Sequence, residues 1–407
     1  MAQAMLNISV ASGAIYGLLA GGALTSSDPA GFRVYFYISA GVYAATTIAC
    51  AVLYKPPSRP TQMTDLRTKL QQLDWVGYGL LAFGVILVCM GLSWAQNPYQ
   101  WKSTHVLAPF LVGLTLLLSL VWYEWKVRND GLFHHKLFGS RNFAIVLFCV
   151  YIEGHAAFAA NYFVPAQLST KYPSMSGFRV GLCYAVSYCA FIGFTIAAGL
   201  GIAKTKAVRG PTVIGFLGLL VFFIITATAT PATPEANFWG YMIFLGLGLG
   251  VLLTTLVVTA QLSTPPELIA TASGLVLAAR SLGASTGLVI YQAVFNAGLS
   301  VHLVAKVSEA TLPLGLQPAS LPLLITDLTT GNTASLSQIP GITPAIISAA
   351  GLAIQQAYSL AFSYVWAAAA AFTCLALIAA AFLQDNRKEF TATIDAPLDP
   401  VNNSTEQ

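Results

Sequence analysis

The first apolar segment of the chain, residues 6–24, reads LNISVASGAIYGLLAGGAL. It carries no charge and is long enough to cross a bilayer as a helix. Gly13, Gly17 and Gly21 recur every four residues and Gly22 follows, so the glycines share one helix face. Small residues at this spacing allow a neighbouring helix to approach backbone to backbone. The segment therefore predicts a membrane span whose glycines have a structural or gating role.

The composition of the 407-residue chain extends this interpretation to its whole length. Hydrophobic residues make up 56% and charged residues 8%, whereas soluble domains carry roughly a quarter charged residues. No basic run with interleaved aromatic residues indicates nucleic-acid binding. The six cysteines lie in apolar stretches without a C-x-x-C pair, so neither a metal site nor any other cofactor is predicted.

Ten stretches are long and apolar enough to span a membrane, and they are too long and too uniformly apolar for barrel strands. The predicted spans are residues 6–25, 34–54, 75–94, 105–125, 143–168, 178–202, 211–230, 238–262, 269–298 and 358–383. The predicted fold class is therefore all-α, a polytopic membrane helix bundle with the lipid bilayer as its solvent.

The placement of lysine and arginine predicts the orientation. Thirteen of these residues lie in one set of alternate loops and in the tail, and five lie in the other set. Positively charged loops face the cytosol, so both termini are predicted to be cytosolic. We expect a multi-pass protein of the plasma membrane, with the vacuolar membrane as the alternative.

The spans divide the chain into four predicted regions. They are residues 1–54 with two spans, 55–126 with a cytosolic loop and two spans, 142–383 with six helices, and 384–407 as a cytosolic tail. Within the third region, prolines punctuate residues 299–345, which predicts a structured external loop rather than another span. Residues 346–357 are predicted to lead as a helix into the last span.

Four passages carry a family resemblance. Gly13-x-x-x-Gly17-Leu18-x-x-Gly21-Gly22 is similar to an antiporter motif ending G-P-x-x-G-G, with Leu18 where that motif has Pro. Residues 31–38, GFRVYFYI, are similar to the family's sixth-helix opening W-R-W-x-F-Y-I. LDWVG at 73–77, followed by GLSW at 91–94, resembles the seventh helix. QLSTPPELIA at 261–270, followed by ARSLG at 279–283, resembles the entry into the penultimate span.

In this order the motifs resemble the fourteen-spanner drug:proton antiporter branch of the major facilitator superfamily, and within it the fungal trichothecene-efflux-pump-like group. The resemblance implies two six-helix bundles that alternate access to a central site. It also matches the first span here to the family's fifth. The expected structure is therefore a partial major-facilitator fold, shortened at the N-terminus by about four spans.

Charged residues inside spans are the first candidates for function, because burying a charge in lipid costs at least a few kcal/mol. Glu153 lies near mid-membrane on a face with small side chains, which favours a protonatable carboxylate for proton coupling. The alternative is a hydrogen-bonded core glutamate. Arg280 is predicted to act as a structural latch that bonds backbone carbonyls or a carboxylate, with contact to an anionic substrate as the alternative. Asp74 is predicted to cap a helix and to support gating.

Polar and aromatic side chains within the six-helix region are candidates for a cavity that suits an amphipathic organic molecule. The leading cavity candidates are Asn161, Tyr188, Gln292 and Gln356. His155 lies about 200° around the helix from Glu153, so a relay between them on this helix alone is not expected. Gly246, Gly248 and Gly250 indicate a bend that would let their helix rock during alternating access.

Two functions remain open, and a third lacks support. The first is proton-coupled efflux of small amphipathic compounds of the drug, toxin or siderophore type, with a small-molecule substrate and a proton as partners. The second is a non-transporting remnant that pairs with or regulates a full-length relative. An intramembrane enzyme would need convergent catalytic groups, and the sequence contains no HExxH motif or paired carboxylates within spans.

Overall fold

The computed structural model describes residues 2–27, 30–54, 73–95, 98–127, 135–265, 268–330, 333–336 and 338–385. Ten helices in these ranges are long and apolar enough to cross a membrane, as predicted. The predicted cytosolic loop after the second span, at residues 55–72, and the tail from residue 386 onward lie outside the described residues.

The helices follow the predicted order. They are α1 (Ala2–Ser27), α2 (Gly31–Leu53), α3 (Trp75–Trp94), α4 (Thr104–Lys126), α5 (Arg141–Lys171), α6 (Gly177–Thr205), α7 (Arg209–Ala227), α8 (Glu235–Leu262), α9 (Ile269–Thr311), α10 (Leu321–Thr330), α11 (Thr333–Leu336) and α12 (Pro344–Ala381). Short 3₁₀ turns occupy His135–Gly139, Leu312–Leu314 and Pro318–Ser320.

The main core lies among α5, α6, α7, α8, α9 and α12, which together form the predicted six-helix region. Trp366 of α12 is fully buried at its centre, stacked on Phe223 and edge-on to Phe222. Its indole Nε1 donates a hydrogen bond of 2.9 Å to Gln167 Oε1 of α5, so the polar atom of this large aromatic side chain is satisfied inside the apolar core.

Three of the four glycines of α8 permit close contact on two sides of that helix. A Cβ atom at Gly246 or Gly250 would collide with backbone atoms of Ser187 or Phe191 in α6. A Cβ atom at Gly248 would collide with the Leu219 side chain of α7. In this conformation α8 is one uninterrupted helix, and its glycines serve packing. A bend at these residues during transport stays a prediction.

The glycine face of α1 was expected to meet a neighbouring backbone along its length, but it does so only at one end. A Cβ atom at Gly22 would lie 3.0 Å from Phe178 Cα, so α1 meets the backbone of α6 there. At Gly17 it would meet the Tyr35 hydroxyl instead, and at Gly13 it would meet open space. The four-residue spacing fixes a face of α1, but not which neighbour covers each part of it. Tyr35 of α2 covers Gly17, and Gly21 lies farther from the same ring.

The helices α3 and α4 form a tightly packed hairpin. A Cβ atom at Gly113 would lie 2.7 Å from Val88 N, and one at Gly91 would lie 2.9 Å from Val106 O. Glycine at these positions lets the two backbones touch, as in close-packed membrane helix pairs. The hairpin reaches the six-helix region through contact between α3 and α9.

Two helices extend well past their predicted spans. Continuous helix runs to Thr311 in α9, past the boundary predicted at 298. In α12 the helix starts at Pro344, as the predicted helix at 346–357 leading into the last span requires. Part of the predicted external loop is therefore helical extension, and the rest includes α10 and α11. A second group of buried apolar side chains, here called the end cluster, explains the extensions because it packs α9, α10 and α12 together. Its members are Val307, Leu316, Leu324, Leu336, Ile339, Ile346, Ala350 and Ala353.

Candidate functional site

The two charged residues predicted separately from the sequence form one buried ion pair. Glu153 lies near the middle of the 31-residue α5, and its side chain is 1% exposed. Arg280 of α9 donates from Nε to Glu153 Oε2 at 2.7 Å, and its side chain is 18% exposed. The carboxylate is therefore the partner of Arg280, one of the two kinds of partner expected for a latch. The pair links two spans across 127 positions of sequence.

Glycine makes this pairing possible by bringing α5 and α9 into backbone contact. A Cβ atom at Gly154 would collide with the Arg280 carbonyl oxygen, and one at Gly283 would collide with the Tyr151 carbonyl oxygen. Both glycines lie within three residues of the charged side chains. The short interhelical distance places the arginine Nε directly on the glutamate, without an intervening side chain.

This contact gives a test of the packing. Replacing Gly283 with Ala is expected to destabilise the protein, because the added methyl group must push α9 away from α5. The matched control is Gly274→Ala on the same helix, where the added Cβ has open space and alanine is the better helix former by about 1 kcal/mol. Thermal unfolding in detergent should show a Tm below that of the wild type for Gly283→Ala but not for Gly274→Ala. Equal Tm values for the two variants would contradict the close contact.

A second polar group lies at the same contact between α5 and α9 as the ion pair, and sequence reasoning did not predict it. Thr286 Oγ1 of α9 lies 2.8 Å from the Tyr151 hydroxyl and 3.3 Å from His155 Nε2, both in α5. His155 is 1% exposed, and its Nδ1 has no hydrogen-bond partner among the described residues. Tyr151 and His155 are one helical turn apart, which was the available signal. Nothing in the sequence indicated that Thr286, a threonine in a long apolar helix, would lie within hydrogen-bond distance of both side chains.

The remaining predicted structural residue, Asp74, lies at the start of α3. Its Oδ1 accepts a hydrogen bond of 3.0 Å from Gly77 N, which is the geometry of a helix N-cap. The Tyr123 hydroxyl of α4 also donates to Oδ1 at 3.2 Å. Asp74 therefore joins the two helices of the α3–α4 hairpin at one end. A role for Asp74 in gating stays a prediction.

The four cavity candidates do not converge on one site. Asn161 Oδ1 accepts hydrogen bonds from the hydroxyls of Tyr184 and Tyr188, at 2.9 and 3.2 Å. Gln292 donates to Asn296 Oδ1 one turn along α9, at 2.9 Å. Gln356 lies exposed on α12, and its side chain has no hydrogen bond to another described residue. The structure thus joins Asn161 to Tyr188 and leaves Gln292 and Gln356 apart from them.

Two cavities lie against the predicted residues. One of about 330 Å³ is apolar, lies between Leu81 of α3 and the α5–α9 contact, and includes Tyr151 and Ala279 in its wall. The other, of about 260 Å³, lies where Gly17, Gly21 and Gly22 of α1 face α5 and α6, with Tyr184 in its wall. The volumes are in the range of small organic ligands or parts of larger ones. None of the four leading cavity candidates lines either cavity.

Comparison with known proteins identifies the family. Residues 1–288 match the model of the Major Facilitator Superfamily, and the chain therefore belongs to that superfamily. It is 27% identical over 74% of its length to the acurin A biosynthesis cluster MFS-type transporter of Aspergillus aculeatus, and covers 53% of that protein. It is 23% identical over 90% of its length to the MFS-type efflux pump MFS1 of Arthroderma benhamiae, and covers 66% of it.

The chain spans about half the length of the first of these relatives. Among solved structures, a bacterial homologue of the human lysosomal transporter Spinster, inward-facing and unoccupied, matches with a TM-score of 0.42 and 16% identity. That match covers 76% of this chain and 66% of the other. The protein is thus an integral multi-pass member of a transporter family whose similar members include fungal efflux pumps.

Proposed function

We propose that this chain carries out proton-coupled efflux of small amphipathic organic compounds by alternating access, with Glu153 as the proton-binding residue. The Glu153–Arg280 ion pair is the observation that supports this most. A fully buried carboxylate inside a membrane span is costly and is retained in proteins where it has a function. Its single described cationic partner lies on a different span, so protonation of Glu153 would change an interaction between two helices.

The chemistry of the pair provides a two-state element. When Glu153 is ionised, its attraction to Arg280 holds α5 against α9. When Glu153 is protonated, that attraction is largely lost, and the arginine must be satisfied elsewhere. The neighbouring hydroxyls of Tyr151 and Thr286 and the apolar cavity beside Tyr151 lie at the same contact. Proton binding is thereby connected to the helix contact that alternating access would have to change.

Reconstitution of the purified chain tests this proposal. Liposomes containing the protein and a trapped pH-sensitive dye receive a panel of fluorescent amphipathic compounds, one cationic, one neutral and one carrying a carboxylate. A coupled exporter is expected to move at least one compound against its gradient when a pH gradient is imposed, with proton movement in the opposite direction. Movement that is independent of the pH gradient would contradict proton coupling, and no movement of any compound would contradict transport by this chain alone.

A second candidate function is a chain that acts only when paired with another transporter chain. The exposed surface of α2 favours it, since α2 packs against α1 while no residue in its central apolar window is buried. In the same liposome assay, such a chain is expected to be inactive alone and to alter transport by a co-reconstituted full-length relative. Transport by the chain in isolation would exclude this second function as its only role.

A further inference from the structure

At the C-terminal end of α5, the half-buried Lys171 has a shielded ammonium nitrogen with no acceptor among the described residues. Lys171 Nζ has no hydrogen bond or salt bridge to any described residue, although the atom is shielded from solvent. Its charge lies over two aromatic rings, 4.9 Å from the centroid of Phe238 and 5.3 Å from that of Tyr172. Cation–π contact offsets part of the lost hydration but leaves all three N–H donors unused. The ammonium group therefore has its hydrogen-bond donors available to an acceptor.

The surroundings of Lys171 form a small cleft at the end of the six-helix region. Its walls come from α5, from the turn before α8 and from α12, and they are Gln167, Thr170, Lys171, Pro231, Gln355, Tyr358, Ser359 and Phe362. The cleft has a cavity volume of only about 10 Å³. In this conformation it is nearly closed, with room for about one water.

Further unused donors line the cleft beside the lysine. Gln167 uses its Oε1 to accept from Trp366, so its Nε2 is the group left to face a ligand. Neither the Tyr358 hydroxyl nor the Gln355 amide bonds to another residue in the described ranges. The nearby acid, Glu235, is paired with Arg179 at 2.9 Å and does not reach Lys171. The cleft thus presents one cation and several neutral donors, with Phe362 as an apolar wall.

We propose that this cleft is a binding site for an oxyanion attached to an apolar body, and specifically for the carboxylate of an amphipathic substrate. Once the cleft opens, a carboxylate would accept from Lys171 Nζ and Gln167 Nε2, while aromatic and apolar carbons of the ligand contact Phe362 and Tyr358. Lys171 lies 18 residues from Glu153, or about 27 Å along α5. The proton site and the anion site therefore occupy different depths of the same helix, and the anion site lies at its predicted external end.

This inference rests on the proposed function in one respect, because it assumes that the bound carboxylate belongs to a transported compound. The same chemistry could be supplied by the phosphate of a lipid headgroup, since the site lies at the end of a membrane span. The experiment must therefore separate a soluble carboxylate from an anionic lipid. It must also separate failure of binding from failure of transport.

Binding is measured without any gradient, using 1-pyrenebutyrate and its uncharged methyl ester as paired probes. The purified full chain is placed in nanodiscs of phosphatidylcholine, and energy transfer from tryptophan to pyrene reports binding. Trp366, which bonds to the cleft residue Gln167, is a donor beside the site. The wild-type protein is expected to bind the acid more tightly than the ester.

Lys171→Met is expected to weaken binding of the acid by at least about tenfold while leaving binding of the ester unchanged, because only the acid uses the charge. Lys171→Arg should retain binding, and the control Lys102→Met removes an exposed lysine elsewhere without effect. Equal affinity of the wild type and Lys171→Met for the acid would overturn the proposal. An equal loss for acid and ester would also overturn it, since that result means disrupted packing.

A lipid arm identifies the source of the anion. If adding phosphatidylglycerol to the nanodiscs displaces the acid from the wild type, the site is filled by lipid headgroups, and the substrate assignment is overturned. If the acid stays bound, a soluble carboxylate is the ligand. Glu153→Gln should bind the acid like the wild type, because Glu153 lies far from the cleft. If the wild-type chain binds the acid but transports none of the compounds in the liposome assay, that result counts against the proposed function alone.

Discussion

Glu153→Gln is expected to reduce transport driven by a pH gradient to the level of protein-free liposomes. Glutamine has nearly the same shape, and its side-chain oxygen can still accept from Arg280 Nε, so the contact between α5 and α9 is kept. It cannot bind or release a proton at physiological pH. The variant should therefore lose the coupling step while keeping its fold and its substrate site.

Two comparisons make this result specific. Exchange of labelled for unlabelled substrate across the membrane needs no net proton movement, so Glu153→Gln should retain it. The matched control is Glu309→Gln, which removes a carboxylate that is 73% exposed and whose partner within the described part of the chain is Lys306, three residues away. That variant should transport like the wild type. Normal pH-driven transport by Glu153→Gln would eliminate Glu153 as the proton-binding residue.

Removal of the arginine should have the largest effect on stability. Arg280→Ala leaves Glu153 buried without its cation, a change that costs about 3–5 kcal/mol for buried ion pairs. We expect a strongly lowered Tm in detergent and loss of the monodisperse protein. Arg280→Lys keeps the charge but cannot reproduce the planar guanidinium, so an intermediate Tm is expected if the arginine is a latch.

The double variant Glu153→Gln/Arg280→Gln tests whether the instability comes from the unpaired charge. Two neutral amides can bond to each other at the same place, so the double variant should be more stable than Arg280→Ala. If Arg280→Ala is as stable as the wild type, the latch is disproved. If Arg280→Lys is fully tolerated in both stability and transport, a simple charge contact is sufficient there.

The membrane-spanning helices could be predicted from the sequence because the lipid bilayer strongly restricts which backbone structures can cross it. A bilayer leaves long apolar stretches no alternative to helix, and all ten predicted spans are helical. The same constraint singled out Glu153 and Arg280, since charges in such stretches are rare. The end of α9 was predicted wrongly, because the end cluster extends that helix by packing that no local pattern reveals.

The pairing of these residues could not be predicted in the same way. The helical face of Glu153 is readable from its neighbours, but the partner lies 127 positions away, and the sequence alone does not say which spans touch. The glycines of α1 illustrate the same limit. Their spacing indicates a face open to close contact, yet only Gly22 meets another backbone closely, and Gly13 meets none. Thr286 was missed because only its contacts with Tyr151 and His155, which lie on another span, distinguish it from other threonines.

The end cluster has a mechanical consequence for the ion pair. Val307 lies 27 residues beyond Arg280 on one continuous helix, or about 40 Å along its axis. Because the end cluster joins this part of α9 to α10 and α12, the three helices would move together there. A rotation of ~5° about the arginine would displace this end of α9 by ~3.5 Å over that length. A spin label on α10 would thus report a displacement larger than the movement of the charged residues themselves.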